Sequence, residues 1–164
     1  MADLPPRCER HGGEIDATRR RSFRSVVGLL AGALAAPAAA RDLPPEIVQP
    51  RTPGPAGLME RAFEMRRRAI ERGDQPYGAV IAKGGRIVGE GVSAVVTDRD
   101  PTAHAEMQAI RDAARRLGTS DLSGCEMYGT SRACPMCEAG AYWARIARMY
   151  YGASSVDAGA PRLP

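Results

Sequence analysis

The chain has 164 residues, 44% of them hydrophobic and 5% aromatic, so we expect one domain of ordinary size with a mainly aliphatic core. The formal net charge is +4, but residues 41–164 hold 17 basic and 15 acidic residues. This near balance disfavours the dense basic face that most nucleic-acid-binding domains carry.

The first forty residues have the order of an export signal. An arginine-rich segment with the core Arg20-Arg21-Ser22-Phe23 precedes a weakly apolar run over residues 26–36, and three alanines end at Ala40. The core resembles a twin-arginine signal. We therefore predict a twin-arginine signal peptide over residues 1–40, periplasmic localisation, and no membrane anchoring after cleavage. The alternative is a cytoplasmic protein whose N-terminal extension is not a functional signal.

The next elements begin with a proline-rich segment. Residues 41–56 contain five prolines and are predicted to form an extended linker. Apolar residues at helical spacing predict a first helix over residues 58–72, which a glycine ends. Two apolar runs over residues 77–82 and 87–92 flank a pair of glycines, which predicts a β-hairpin.

A second helix is predicted to start near Thr102 and to run to about Leu117, with a glycine after it. A short strand follows over residues 125–129. A third helix is predicted from about Cys134 through Trp143, and residues 149–151 form another predicted strand.

The tail over residues 152–164 is rich in small residues and proline and is predicted to be irregular. The resulting order is α-β-β-α-β-α-β. Helices of this length between strands indicate an α/β fold, a three-layer α-β-α sandwich with a central mixed sheet. We assign this domain to residues 57–164.

Two short motifs carry the candidate chemistry, His104-Ala105-Glu106 and Cys134-Pro135-Met136-Cys137. One imidazole and two thiols match a catalytic zinc with three protein ligands and an open fourth position. Both motifs lie at predicted helix starts, where unpaired N–H groups and the helix dipole favour a thiolate. Glu106 is too near His104 in sequence to be an obvious fourth ligand, but it is well placed to carry a proton.

Each of these residues also has a simpler interpretation. The two cysteines of the second motif could form a disulfide or a redox pair. His104 could be a hydrogen-bonded core histidine, and Glu106 could be an acid that interacts with the helix dipole. Cys125 lies in a predicted strand and is predicted to be a small buried apolar residue.

The two motifs together resemble the signature of the zinc-dependent cytidine deaminase-like superfamily, H-x-E followed by P-C-x-x-C. Residues 76–80 are similar to the family's P-F-G-A-V segment, and residues 100–106 to its D-P-T-A-H-A-E segment. Residues 117–125 and 141–145 resemble the guanine deaminase branch more than the tRNA adenosine deaminase branch. The resemblance covers roughly residues 57–159.

The resemblance implies a role for each of seven residues. Three are Zn²⁺ ligands and one is the catalytic proton shuttle, while Tyr77 and Trp143 line the substrate pocket and Ser93 occupies a substrate-binding position. The ligands are His104, Cys134 and Cys137, and the shuttle is Glu106. A zinc-bound hydroxide would then attack a ring carbon of a purine base or nucleoside, and ammonia would leave. The implied partners are a small-molecule nucleobase or nucleoside and a second copy of the chain in a homodimer, but not nucleic acid.

Three positions depart from the family pattern. Arg132-Ala133 stands where the family usually has Glu-Pro, and Ser93 stands where it often has asparagine. The residues after Asp157-Ala158-Gly159 lack the acids and the aromatic that guanine deaminases use for guanine. Three hypotheses therefore follow: a guanine deaminase-like enzyme, a tRNA adenosine deaminase, and a catalytically weakened zinc-binding protein with the deaminase fold.

Overall fold

A computed structural model describes residues 45–163. The predicted signal peptide and the beginning of the predicted linker lie outside this range. Within it, no helix combines the length and the apolar character that are needed to cross a membrane.

The described residues form three helices and five strands, and the first seven elements follow the predicted order. A fifth strand comes after them. The elements are α1 (Pro55–Glu71), β1 (Gly78–Lys83), β2 (Arg86–Val92), α2 (Ala105–Leu117), β3 (Cys125–Gly129), α3 (Pro135–Trp143), β4 (Arg148–Tyr151) and β5 (Val156–Gly159).

The strands form one mixed sheet in the order β2-β1-β3-β4-β5. β3 and β4 are parallel, with α3 as the crossover between them, and the other neighbouring strands are antiparallel. Side chains of β1 alternate between the two faces. Ala79 and Ile81 enter one core cluster, whereas Val80 and Ala82 enter the other.

Helices cover both faces of the sheet, which confirms the predicted three-layer α-β-α sandwich. α1 packs on one face through Leu58, Ala62 and Met65. On the opposite face, Ala109 of α2 and Ala141 of α3 belong to the other cluster. Both ligand-bearing helices therefore lie on the same side of the sheet.

Glycines in β2 let α2 approach the sheet closely. A Cβ atom on Gly91 would lie 1.9 Å from the Ala105 carbonyl oxygen and 2.5 Å from the Ala109 nitrogen. Only a residue without a side chain fits at this position. Because Ala105 is the first residue of α2, this contact sets the position of the helix turn that contains Glu106.

Two helix starts differ from the predicted ones. α1 begins at Pro55 rather than near residue 58, because proline at the first helical position has a suitable φ and its missing N–H is not needed there. α2 begins three residues later than Thr102, since the Asp100 carboxylate accepts the Thr102 N–H at 2.7 Å and holds a turn there.

Residues 45–54 form no helix or strand, as their proline content predicts, but they lie against the domain. Ile47 is buried in the α1-side cluster. The Gln49 amide accepts the Ile87 N–H at 2.8 Å and donates to the Ile87 carbonyl at 3.0 Å. These two bonds satisfy backbone groups on the outer edge of β2, which would otherwise be open to another strand.

The prediction of an irregular tail was wrong, because residues 156–159 form β5 against β4. Ser155, in the left-handed region at φ 50°, donates its N–H to the Gly152 carbonyl at 2.9 Å in the turn between the strands. The side chains of β5 are largely exposed, so the strand has no apolar alternation. β5 is held by backbone hydrogen bonds to β4, which any residue except proline can make, so the sequence contains no pattern that predicts it.

We expect Gly91→Ala to destabilise the protein by about 3 kcal/mol, near the upper end of the usual cost of overpacking, because rigid backbone atoms oppose the new methyl group. Urea unfolding of zinc-loaded protein measures this loss. Gly140→Ala in α3 is the matched control, since the nearest atom to its Cβ is the flexible Met107 sulfur. Equal losses in the two variants would contradict the close-approach argument.

Candidate zinc centre and active site

The ligand residues come from the beginnings of two helices. His104 is the N-cap of α2, and Cys134 is the N-cap of α3, both with extended backbone conformations. Pro135 occupies the first position of α3, and Cys137 follows within the first turn. The free N–H groups of a helix start favour nearby negative charge, such as that of metal-bound thiolates.

The three side chains converge on one point. His104 Nδ1 lies 3.6 Å from Cys134 Sγ and 3.6 Å from Cys137 Sγ. All three ligand atoms lie within 4.8 Å of one another. In a tetrahedral site with Zn–S near 2.3 Å and Zn–N near 2.0–2.1 Å, sulfur and nitrogen stand about 3.6 Å apart. The donor set and its spacing therefore fit zinc, and these residues could hold the ion.

The structure contains no disulfide among the described cysteines. Cys125, Cys134 and Cys137 are all free thiols. Cys125 is fully buried in the core cluster beneath α2 and α3, as predicted for a small apolar residue. The disulfide alternative for the second motif therefore finds no support in this fold.

Glu106 lies one residue into α2 and directs its carboxylate at the same centre. It is buried, and its Oε2 lies 3.7 Å from Cys137 Sγ. Burial raises the pKa of the Glu106 carboxyl, while a backbone hydrogen bond and His104 act in the opposite direction. A carboxyl with a raised pKa can both accept and release a proton near neutral pH.

The Cys137 thiol is also strongly affected by its surroundings. Burial is the main cause of a raised pKa for Cys137, and the nearby Glu106 and Cys134 raise it further. Without a cation in place, this sulfur therefore keeps its proton. A zinc ion must displace that proton to bind the thiolate.

A cavity extends from Glu106 along the β3–β4–β5 side of the domain. The loop after β3 and the strands β4 and β5 form most of its wall. The lining residues are Glu106, Met127, Gly129, Ser131, Arg132, Ala133, Glu138, Met149, Tyr150, Tyr151, Ala158 and Ala160.

The three predicted substrate residues lie outside this wall. Tyr77 and Trp143 are exposed, at 42% and 72%, and Trp143 lines a separate hollow with Tyr142. Ser93 is buried, and its hydroxyl donates a hydrogen bond of 2.8 Å to Asp74 Oδ1. A substrate contact for each of the three stays a prediction.

The unusual residues before the first cysteine leave the ligand geometry intact. Ala133 packs against the core cluster, and Cys134 still caps α3 although no proline precedes it. Arg132 is exposed and lines the cavity. This departure therefore changes the charge of the cavity wall rather than the metal ligands.

Sequence reasoning missed two sets of residues. Ala158 reaches the cavity wall because β5 pairs with β4, and β5 was not predicted, while Tyr151 of the predicted β4 was not recognised as a lining residue. The buried Asp74, which contacts the loop before α2, was also missed. No local pattern indicates a contact between residues 22 positions apart. The only signal near Asp74 is the preceding Gly73, whose positive φ marks a turn after α1.

Comparison with known families agrees with this geometry. Residues 55–153 match the model of the cytidine and deoxycytidylate deaminase zinc-binding region. The chain belongs to this family. The predicted superfamily, the fold and the zinc-binding character are thereby confirmed.

Individual relatives come from two branches at similar identity. The guanine deaminase of Bacillus subtilis is 48% identical over 83 residues, which cover 51% of this chain and 53% of that protein. The tRNA-specific adenosine deaminase of Aquifex aeolicus is 42% identical over 96 residues, which cover 58% and 64%. The chain thus spans between about half and two thirds of these curated relatives.

A solved structure gives the same result. The crystal structure of guanine deaminase from Bacillus subtilis superposes with a TM-score of 0.56 at 42% identity, covering 58% of this chain and 62% of that one. The comparisons therefore agree on the deaminase family, and they leave the substrate class to be decided by experiment.

We expect Cys137→Ala to abolish tight zinc binding, because one of the three converging ligand atoms is removed. Zinc content after dialysis, measured by atomic absorption, checks this outcome. Cys125→Ala is the control, since it removes a buried sulfur outside the ligand cluster and should retain zinc. Equal zinc content in both variants would exclude the assigned ligand set.

Zinc affinity should rise with pH. The pKa of Cys137 is raised in the metal-free site, so its thiol is protonated and binding releases that proton. Affinity should therefore increase about tenfold per pH unit for each proton displaced, between about pH 6 and pH 8. Competition with a chelator of known pH dependence measures the slope, and a flat profile would contradict protonation of the free site.

Proposed function

We propose that the protein is a zinc-dependent hydrolase that deaminates a purine base or nucleoside, with guanine as the first substrate to test. The observation that carries this proposal is the convergence of His104 Nδ1 with two thiols at 3.6 Å. The buried Glu106 carboxylate lies beside this cluster and lines the adjoining cavity.

The proposed chemistry divides between the ion and Glu106. A zinc ion held by these ligands lowers the pKa of a bound water toward neutrality. Glu106 accepts a proton from the attacking water and donates it to the amino nitrogen that leaves. One water is consumed, a C–O bond replaces the C–N bond, and one ammonia is released.

Features of the cavity support a small planar substrate. Tyr151, Met127 and Met149 supply aromatic and polarisable surface, and the one lining residue from β5 is the small Ala158. Small-molecule sites typically combine apolar and aromatic surface with a few polar groups, which Glu106, Arg132 and Glu138 provide here. The relative that is 48% identical is a guanine deaminase, which makes guanine the first base to try.

Deamination of adenosine in tRNA is the second candidate. Arg67, Arg68 and Arg72 are exposed at the C-terminal end of α1 and could contact phosphates. A relative that is 42% identical is a tRNA-specific adenosine deaminase. The small net charge of residues 41–164 favours the small-molecule substrate instead.

The assembly and the location of the protein are further proposals. By resemblance to its family, we propose a homodimer, which light scattering of the purified zinc form tests. We also propose periplasmic localisation through the predicted twin-arginine signal. Fractionation of cells with and without Arg20→Lys and Arg21→Lys tests it, and equal amounts in the periplasm would contradict export by this route.

One assay separates the functional hypotheses. The zinc-loaded full chain is incubated with guanine, adenine, cytosine, their nucleosides and a tRNA, and ammonia is measured enzymatically. Release from guanine or a purine nucleoside supports the proposal, whereas release from tRNA alone supports the second candidate. Bound zinc without ammonia from any substrate indicates the catalytically weakened protein.

Glu106→Gln should lower kcat by roughly 10²–10⁴-fold, because the amide cannot transfer the proton. Zinc content should remain that of the parent protein, since Glu106 is not in the converging ligand cluster. Glu126→Gln is a matched control on β3, where the carboxylate accepts the Tyr128 hydroxyl, and it should have little effect on kcat. Full activity of zinc-loaded Glu106→Gln would exclude the proposed shuttle.

A further inference from the structure

A buried carboxylate that plays no part in the proposed chemistry joins α1 to the loop before α2. Both oxygens of Asp74 accept hydrogen bonds. Oδ1 accepts from the Gln75 N–H and the Ser93 hydroxyl, each at 2.8 Å. Oδ2 accepts from the Val96 N–H at 2.9 Å and the Thr97 N–H at 2.8 Å. A carboxylate offers about four acceptor positions, so its capacity is filled.

Asp74 is itself fixed by the end of α1. Its N–H donates to the Ala69 carbonyl at 2.9 Å, and the preceding Gly73 turns the chain with φ at 74°. Ala69 is a fully buried residue of α1. The carboxylate therefore presents acceptors at a position that the core determines.

The loop that Asp74 contacts leads directly to a metal ligand. Between β2 and α2, residues 93–104 form no helix or strand. Ala94 closes the base of this loop by donating its N–H to the Ala103 carbonyl at 3.0 Å, and it accepts from Asp98 at 3.0 Å. Ala103 precedes His104, so a fixed Ala94 fixes the backbone from which the imidazole projects.

We propose that Asp74 is a positioning residue for the metal centre. Its carboxylate holds residues 93–97 in place. Through the hydrogen bond of Ala94, these residues fix the backbone at Ala103. His104 Nδ1 is therefore oriented toward the two thiols before the ion binds. The ligand concerned is a divalent zinc ion. This inference rests on the proposed zinc ligands but not on the identity of the deaminated substrate.

The contacts require an ionised carboxylate rather than an amide. Burial acts to raise the pKa of Asp74, but the hydrogen bonds from Thr97, Ser93 and Gln75 outweigh it and hold that pKa well below its usual range. The group is therefore an acceptor at both oxygens whenever the protein is folded near neutral pH. An amide would turn a donor toward two of the four N–H or O–H donors.

Asp74→Asn in the full chain tests this role through the rate at which zinc is transferred to a chromophoric chelator. We expect release to become at least about tenfold faster, within the range found when groups that orient metal ligands are removed. Asp121→Asn is the matched control, because Asp121 likewise accepts a serine N–H and hydroxyl in a loop, but before β3. Its zinc release should equal that of the parent.

A merely structural role predicts a different result. In that case Asp74→Asn lowers the urea midpoint but leaves the zinc release rate of the folded protein unchanged, and this outcome overturns the proposal. If Asp74→Asn does not fold, Ser93→Ala takes its place in the test. This variant removes one of the four donors to Asp74 and should speed zinc release to a smaller extent. Unchanged release in folded Ser93→Ala likewise overturns it.

Hydrogen exchange on the unmodified metal-free protein provides a second measurement. The amides of Ala94, Val96 and Thr97 should be protected from exchange before zinc is added, because their acceptors are already in place. Unprotected amides in the metal-free form would mean that zinc orders the loop, which contradicts the proposal.

These measurements need no substrate. If Asp74→Asn speeds zinc release while no purine yields ammonia, the proposed substrate class fails and the role of Asp74 stands. If guanine is deaminated but zinc release is unaffected, the role of Asp74 fails and the substrate proposal stands.

Discussion

The structure depends on the meeting of two helix N-termini at one point beside the sheet. His104 and Cys134 are the N-caps of α2 and α3, and Cys137 lies in the first turn of α3. At these positions the backbone has free N–H groups and a partial positive charge, which lower the cost of thiolates. The fold thus gives the metal centre its electrostatic environment as well as its ligands.

Close packing fixes the position of the α2 start relative to the sheet. Gly91 lets the start of α2 approach β2 within a distance that no side chain would permit. On the other side of the loop, the Asp74 carboxylate gathers backbone donors from Val96 and Thr97. A ligand at a helix cap can move only as far as its flanking backbone moves, and here both flanks are held by rigid contacts.

The candidate metal centre and the adjoining cavity are built from different parts of the chain. The ligands and Glu106 come from two short motifs at helix starts, whereas the cavity wall comes largely from β4, β5 and the loop after β3. Substitution in the cavity wall can therefore leave the candidate metal ligands intact. Relatives from a guanine branch and a tRNA branch match this chain at similar identity, which is consistent with such a division.

The sequence alone identified the superfamily, seven of the eight elements and the three side chains that could hold a metal, because motif spacing and apolar periodicity are local signals. Tertiary structure decided the rest. β5 is stabilised by backbone pairing with β4, so its exposed side chains carry no periodic pattern. The Asp74 carboxylate accepts a hydrogen bond from the Val96 N–H, 22 residues further along the chain. The hydroxyl of Ser93, which was predicted at a substrate position, donates a hydrogen bond to the same carboxylate. Contacts between distant residues depend on how the helices pack on the sheet, and no local pattern contains that information.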